Sequence, residues 1–260
     1  MGERGGELKI LIAIPRREFD PTESAVPWKV LSGAGHTVRF ATPNGEKGEA
    51  DDRVLTGRGF GPLSPFMKAP KSSVKLYGEM NADKYYSAPI PYQQAMEQEF
   101  DGIIFPGGHA PGMKEYLESE ILQQMAAKYL MEGRPVGAIC HGVIIMARAR
   151  NPQTGKSILY GRKTTALTGL MEQSAWISTK LWLGNYFKTY PQTVQEMVTR
   201  ELEKREDFLA GPVSLRRDSA DRPDKGFAVV DGNYISARWP GDAYRFATGF
   251  LEIAGRRPGK

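Results

Sequence analysis

Arg134-Pro-Val-Gly-Ala-Ile-Cys140-His141-Gly142 is the stretch on which the fold turns. Four apolar residues, Val136 to Ile139, stand between Pro135 and the Cys-His-Gly triplet, which suits an interior strand of a parallel sheet. Val143-Ile-Ile-Met-Ala147 then reads as the buried face of a helix. A residue at such a strand-to-helix elbow points away from the sheet, beside the free N–H groups of a helix start. Cys140 occupies it and is the chain's single cysteine. Those amides favour negative charge, so they are expected to lower the thiol pKa and to hold an oxyanion. The alternative reading is a small buried thiol with no chemistry. The adjacent His141 and the elbow context point to a nucleophile.

Outward from the elbow the pattern is a strand–helix alternation. Leu8 to Pro15 reads as a buried first strand, followed by a helix through Trp28, Val30 and Leu31 that ends at Gly33-Ala-Gly35. His36 to Thr42 is a second strand, so the chain opens with a βαβ unit and implies a parallel sheet. Asp101 to Pro106 is the next strand and runs into Gly107-Gly108-His109, with a helix over about 119–132. Residues 153–168 read as a hairpin excursion around Ile158-Leu-Tyr160. The stretch 171–205 reads as mostly helical, with 194–205 its most regular part. The chain closes with two strands, Phe227–Val230 and Tyr234–Ala237, joined at Asp231-Gly-Asn233, and a helix over 242–253. The expected organisation is one domain over 7–255, with excursions at about 44–91 and 151–225 and flexible ends at 1–6 and 256–260.

Composition narrows the function classes. Of 260 residues, 40% are hydrophobic and 25% charged, as in ordinary globular proteins. The formal charge of +5 comes from basic residues interspersed among 30 acidic ones, in pairs no longer than Arg16-Arg17, Arg216-Arg217 and Arg256-Arg257. No interleaved aromatic–basic motif accompanies them, so no nucleic-acid partner is expected. A lone cysteine admits no intramolecular disulfide, and no stretch approaches the ~18 apolar residues of a membrane span; both lead to an expected cytoplasmic location without a membrane partner. Gly57-Arg-Gly-Phe-Gly61 has the wrong spacing for a dinucleotide loop. With three histidines, and His141 adjacent to Cys140 rather than spaced for joint ligation, no metal site is expected.

Three features fall at the ends of parallel strands, where open α/β sheets bind ligands: Glu23, Gly107-Gly108 and Cys140-His141. The Gly108 and His141 amides are candidates for an oxyanion hole. His109 is a candidate to line the pocket, as are Tyr85, Tyr86, Trp176, Trp182 and Trp239, although aromatics in irregular segments also pack as satellite cores. His36, at a strand start, reads as structural.

Phe100-Asp-Gly-Ile-Ile-Phe-Pro-Gly-Gly-His109, Gly137-Ala-Ile-Cys-His-Gly142 and Asp231-Gly-Asn-Tyr-Ile-Ser236 resemble the ThiJ/PfpI superfamily over about residues 7–255, most weakly across 44–91 and 151–225. The resemblance implies a flavodoxin-like, class I glutamine amidotransferase-like three-layer α/β sandwich. It implies that an acidic residue after the first strand hydrogen-bonds the cysteine; Glu23-Ser-Ala-Val-Pro27 matches that pattern and Glu18 matches it less well. Donation from a buried, protonated Glu23 favours a thiolate, whereas a plain reading of Glu23 is a helix N-terminal carboxylate. His141 is similar to the glyoxalase III and heat-shock chaperone branch, in which a carboxylate past the cysteine orients the histidine. Thr168-Gly-Leu-Met-Glu172 offers Glu172 for that place, against a plain helix-surface role; Asp231 and Asp218 are weaker candidates. The implied function is a cofactor-independent, glyoxalase III-like conversion of methylglyoxal to lactate, or a related deglycase, on a small aldehyde substrate and in a homodimer. Alternatives in the same superfamily are a cysteine amidohydrolase or peptidase acting on amides, and a non-catalytic stress chaperone or redox sensor.

Overall fold

The computed structural model describes residues 6–256, and apart from Gly6 and Arg256 the expected flexible ends lie outside the described residues. Among the described residues nine strands are formed: β1 Lys9–Ala13, β2 Arg17–Phe19, β3 Thr37–Thr42, β4 Glu49–Ala50, β5 Ile90–Pro91, β6 Gly102–Phe105, β7 Val136–Ile139, β8 Ala228–Asp231 and β9 Tyr234–Ala237. Seven make one sheet in the order β5-β3-β1-β6-β7-β9-β8. Every pairing in it is parallel except β8 with β9. The parallel centre is hydrophobic on both faces, and Ile10, Leu11, Ile12, Ile103, Ile104, Val136 and Ile139 are fully buried. β2 and β4 form a separate parallel ribbon that the irregular sequence around them did not signal.

The main helices are α1 Pro21–Gly33, α2 Lys71–Asn81, α3 Glu120–Met131, α4 Val143–Arg148, α5 Gly169–Leu183, α6 Val194–Thr199 and α7 Ala243–Ala254. From β1 the chain crosses through α1 to β3 on one side; from β6 it crosses through α3 to β7 on the other. Right-handed crossovers in opposite directions place the helices on opposite faces, giving the flavodoxin-like three layers. Accordingly α1 packs with α2 and α7, while α3 packs with α4. The reversal between β1 and β6 leaves a crevice at their carboxyl ends.

Two sequence expectations are corrected. Residues 153–168 form no hairpin; turns and two isolated bridges, Arg150 with Ser157 and Thr164 with Phe208, hold them. The helix after Thr193 ends at Thr199 rather than 205, and Arg205–Asp207 is a separate 3-10 turn. β5, a two-residue edge strand, closes the first excursion back onto the sheet at Ala41 and Thr42.

The two excursions meet one another. Val54, Phe60 and Ala69 from the first and Phe187 from the second form a small apolar cluster of their own. Trp182 Nε1 donates to Gly59 O at 2.8 Å, and Tyr186 Oη donates to Asp51 Oδ2 at 2.7 Å. This pair of segments is a cap, and its inner side faces the residues that follow β6.

Candidate active site

The elbow is strained at its tip. Cys140 has φ +58, and Glu18 at +67 is the other non-glycine residue of positive φ among those described. Such a conformation persists where the surroundings over-determine it, commonly at functional sites. Here β7 enters from the sheet, Cys140–Gly142 makes a 3-10 turn and α4 leaves at once. Gly142 permits the turn: a Cβ there would sit 2.1 Å from the Phe105 carbonyl oxygen.

Glu23 is brought to the elbow by the first turn of α1. Asp20 caps that turn, its carboxylate accepting from the N–H groups of Thr22 at 2.7 Å and Glu23 at 3.1 Å. The Asp20 N–H is itself tied to Gly107 O at 2.9 Å, which couples the helix to the loop after β6. Glu23 is 0% exposed. Its Oε2 accepts from the Gly107 N–H at 2.8 Å. Its Oε1 is buried with no well-formed hydrogen bond, and its neighbour is the Cys140 thiol. Gly107 must be glycine, since a Cβ would meet His141 N at 2.7 Å and Glu23 Oε2 at 2.8 Å. Gly107 therefore holds Glu23, and the neighbouring Gly108 N–H has no intramolecular acceptor among the described residues. Glu18 goes elsewhere, to the Gly112 N–H at 2.6 Å.

The sulfur's second neighbour is His141, also 0% exposed. Its Nδ1 is 3.5 Å from Cys140 Sγ, and its Nε2 is 3.3 Å from Thr189 Oγ1. Thr189 has one hydroxyl proton and donates it to His109 O at 2.6 Å. Toward His141 it is left as an acceptor, so Nε2 carries the ring proton and Nδ1 presents its lone pair to the thiol. That is the tautomer a base for Cys140 needs.

Glu172 does not fill this place. It sits in the first turn of α5, nine-tenths buried, and its Oε2 accepts from the Val194 N–H at 2.8 Å, joining α5 to α6. Thr189 takes the orienting position at His141 instead. No sequence motif marks it, in an irregular segment 48 residues past the histidine. Asp231 pairs with Arg162 and the Lys163 N–H beside the β8–β9 hairpin, and Asp218 accepts from the Arg245 N–H; neither bonds to Cys140 or His141.

His109 lines the inner side of the cap. Its ring stacks on Phe187 at 4.3 Å between centroids and meets Tyr186 edge-on at 4.9 Å, with Nε2 buried and unpartnered. Tyr186 and Phe187 thus supply the aromatic wall. Of the residues expected there, Tyr86 is in the main core on Gly48 O, Tyr85 lies under Arg39 and Arg217 stacks on Trp239, while Trp176 bonds Asn185 and packs against the cap cluster. His36 is structural as expected, accepting from the Leu8 N–H at 3.2 Å. A cleft of about 670 Å³, bounded by Pro111, Lys114, Tyr186, Lys188, Thr189 and Tyr190, opens beside this wall.

Burial dominates the electrostatics. It pushes the Glu23 carboxyl well above its ordinary range, with the Asp20 charge adding to it, and Asp20 itself up to about 6. It pushes His141 down to about 3 and His109 down to about 4, so both rings are neutral at pH 7. Burial also pushes the Cys140 thiol up, against the lowering expected from a helix start, and the Glu23 charge is the next cause. That second cause vanishes once Glu23 is protonated, while the His141 N–H works in the thiolate's favour. The array that satisfies every donor is then Glu23 O–H to Sγ, S–H to Nδ1, Nε2–H to Thr189 and Thr189 O–H to His109 O. Among the described residues no group of three or more His, Cys, Asp or Glu side chains gathers around a common metal position.

The family model described as ThiJ/PfpI family-like matches residues 14–212. The chain belongs to the ThiJ/PfpI family. A deglycase of Pyrococcus furiosus is 28% identical over 248 residues, 95% of this chain and 99% of that one. Glyoxalase 3 of Candida albicans is 24% identical over 228 residues, 86% of this chain and 84% of that one. The crystal structure of glyoxalase III from the same yeast superposes with a TM-score of 0.67 at 20% identity, covering 95% and 97% of the two chains. In this ThiJ/PfpI chain, Glu23, Gly107, Cys140, His141, Glu172 and Thr189 all fall within the matched span, whereas β8, β9 and α7 lie beyond it.

Proposed function

We propose that the protein is a glyoxalase III-like enzyme, or a related deglycase, that acts on a small 2-oxoaldehyde through Cys140. The relatives named deglycase and glyoxalase support the reaction class. The observation that carries the reading is the position of Cys140 Sγ between a buried carboxyl and an imidazole nitrogen left unprotonated by Thr189.

As sulfur bonds to the aldehyde carbon of methylglyoxal, its proton passes to His141 Nδ1 and from there to the aldehyde oxygen, giving a hemithioacetal. The Gly108 N–H holds that oxygen while it carries charge. The imidazole then takes the hydrogen of the same carbon as a proton, and an enediol forms. Return of a proton to the neighbouring carbon, with loss of the hydroxyl proton from the sulfur-bearing carbon, gives the thioester of a 2-hydroxy acid. Water cleaves the C–S bond, releasing lactate and restoring the thiol. Protonated Glu23 donates to sulfur throughout and stabilises it whenever it bears charge. Glu172, expected at the histidine, is assigned instead to holding α5 against α6.

Cys140 is 4% exposed, and access that narrow favours a small electrophile over a polypeptide, hence the aldehyde over the peptidase reading. Lactate formation from methylglyoxal by wild type and Cys140→Ala tests the proposal. Turnover by wild type alone is expected. Equal rates in both would remove the thiol from the mechanism, and no lactate from either would favour amide hydrolysis.

A further inference from the structure

A second cavity, of about 210 Å³, lies beside the first turn of α1, with Thr22, Ser72, Ser73, Arg217, Asp218 and Asp221 among the residues that line it. Glu23, Cys140 and His141 do not line it. Four observations describe what it could hold. Thr22 is 3% exposed, and its Oγ1 is buried without a hydrogen-bond partner among the described residues. The Arg217 guanidinium stacks on the Trp239 indole, and its Nη1 is buried and unpartnered. No carboxylate of the described residues comes within ion-pair distance of it. The eleven-residue helix α2 opens onto the cavity behind Pro70, which offers no side-chain cap to the first N–H groups. A hydroxyl, a guanidinium edge and an uncapped helix start thus meet at one small space, and each lacks an acceptor. Unpartnered buried groups of this kind are costly to leave unmade.

The wall is not purely cationic. Asp218 contributes a carboxyl whose Oδ2 accepts from the Arg245 N–H at 2.8 Å, and Asp221 is exposed at the rim. A dianion such as phosphate meets these acids as repulsion. A monoanion that also carries a donor meets them as acceptors.

We infer that this cavity binds a small carboxylate bearing a hydroxyl or amino group on the adjacent carbon. Its carboxylate accepts from Arg217 Nη1, Thr22 Oγ1 and the α2 amides. Its hydroxyl or ammonium donates to Asp218 or Asp221. Burial pushes Asp218 up to about 7, so its share of negative charge opposite the ligand is reduced at neutrality. The site does not depend on the chemistry assigned to Cys140, but it abuts it, because Thr22 precedes Glu23 in the same helical turn.

Calorimetric titration with lactate, alanine, acetate and inorganic phosphate tests this in wild type, Cys140→Ala, Thr22→Val and Arg217→Met. Lactate or alanine is expected to bind saturably and one to one, more tightly than acetate or phosphate. Thr22→Val and Arg217→Met are expected to weaken that binding at least tenfold. Cys140→Ala binds as wild type, which separates this cavity from the nucleophile's site. Thr22→Val removes an unpartnered hydroxyl, so its melting temperature without ligand is equal or higher, and lost binding is then not lost folding. Four results would overturn the inference: no saturable binding of lactate or alanine, phosphate or acetate binding as tightly, wild-type affinity in Thr22→Val, or binding abolished by Cys140→Ala.

Discussion

The chemistry proposed for Cys140 depends on two neighbours that sequence distance hides to different degrees. Glu23, Gly107 and Cys140 were legible because each follows a strand of the same parallel sheet, and strand ends of that sheet share one edge by topology. Thr189 was not legible: hydroxyl residues are common in irregular segments, and only the folded cap carries this one to His141. Glu172 lies at the helix start the sequence pointed to, but the Val194 N–H captures its carboxylate. These placements separate by mutation. Thr189→Val leaves the base in place but frees its tautomer, so kcat for 2-oxoaldehyde turnover should fall about tenfold or more, part of the roughly 10²–10⁴-fold that general-base catalysis provides. Glu172→Gln should keep kcat near wild type, since a glutamine oxygen still accepts from Val194. Steady-state kinetics of the two variants decides between Thr189 and Glu172 as the residue that orients His141.

At the scale of elements, the β7–α4 elbow and the βαβ opening followed directly from apolar runs of strand length bounded by Gly and Pro. The 153–168 segment failed because Ile158 and Leu159 are buried by packing against the main core, not by pairing in a ladder. Burial also gives the helix junctions an unusual response to pH. Burial pushes Glu172, at the α5–α6 junction, up to about 7, and Asp20, the cap of α1, up to about 6. A carboxyl raised in the fold binds its proton more tightly there than in the unfolded chain. Its contribution is therefore present at acid pH and is lost as pH climbs from about 4.5 toward 7. Glu172→Gln should remove that loss. Urea unfolding of wild type and variant at pH 5 and pH 8 should show the variant gaining relative stability at pH 8, by at most about 3 kcal/mol. A difference that does not change with pH would mean that the buried carboxylate is already ionised at pH 5.

Across the whole molecule, the main core lies on both faces of the sheet, and the cap has a small core of its own. The sequence marked 44–91 and 151–225 as departures from the alternation, but their joining could not be read from it. The contacts Phe60–Phe187, Trp182–Gly59 and Tyr186–Asp51 span more than a hundred residues and follow no local period. Because the cap cluster is separate, it should open without the sheet. Phe60→Ala should destabilise the cap by about 3–5 kcal/mol. Hydrogen exchange should then accelerate across 51–69 and 175–187 while β1, β6 and β7 keep their protection. Uniform acceleration would show instead that cap and sheet unfold together.

The account as a whole rests on a covalent bond between Cys140 and substrate. Mixing the protein with methylglyoxal, quenching with acid during turnover and mapping the digest by mass spectrometry observes that bond. One substrate-derived adduct on the Cys140 peptide is expected during turnover, and it is missing from Cys140→Ser. Turnover with no adduct on that peptide, or undiminished turnover in Cys140→Ser, would contradict it.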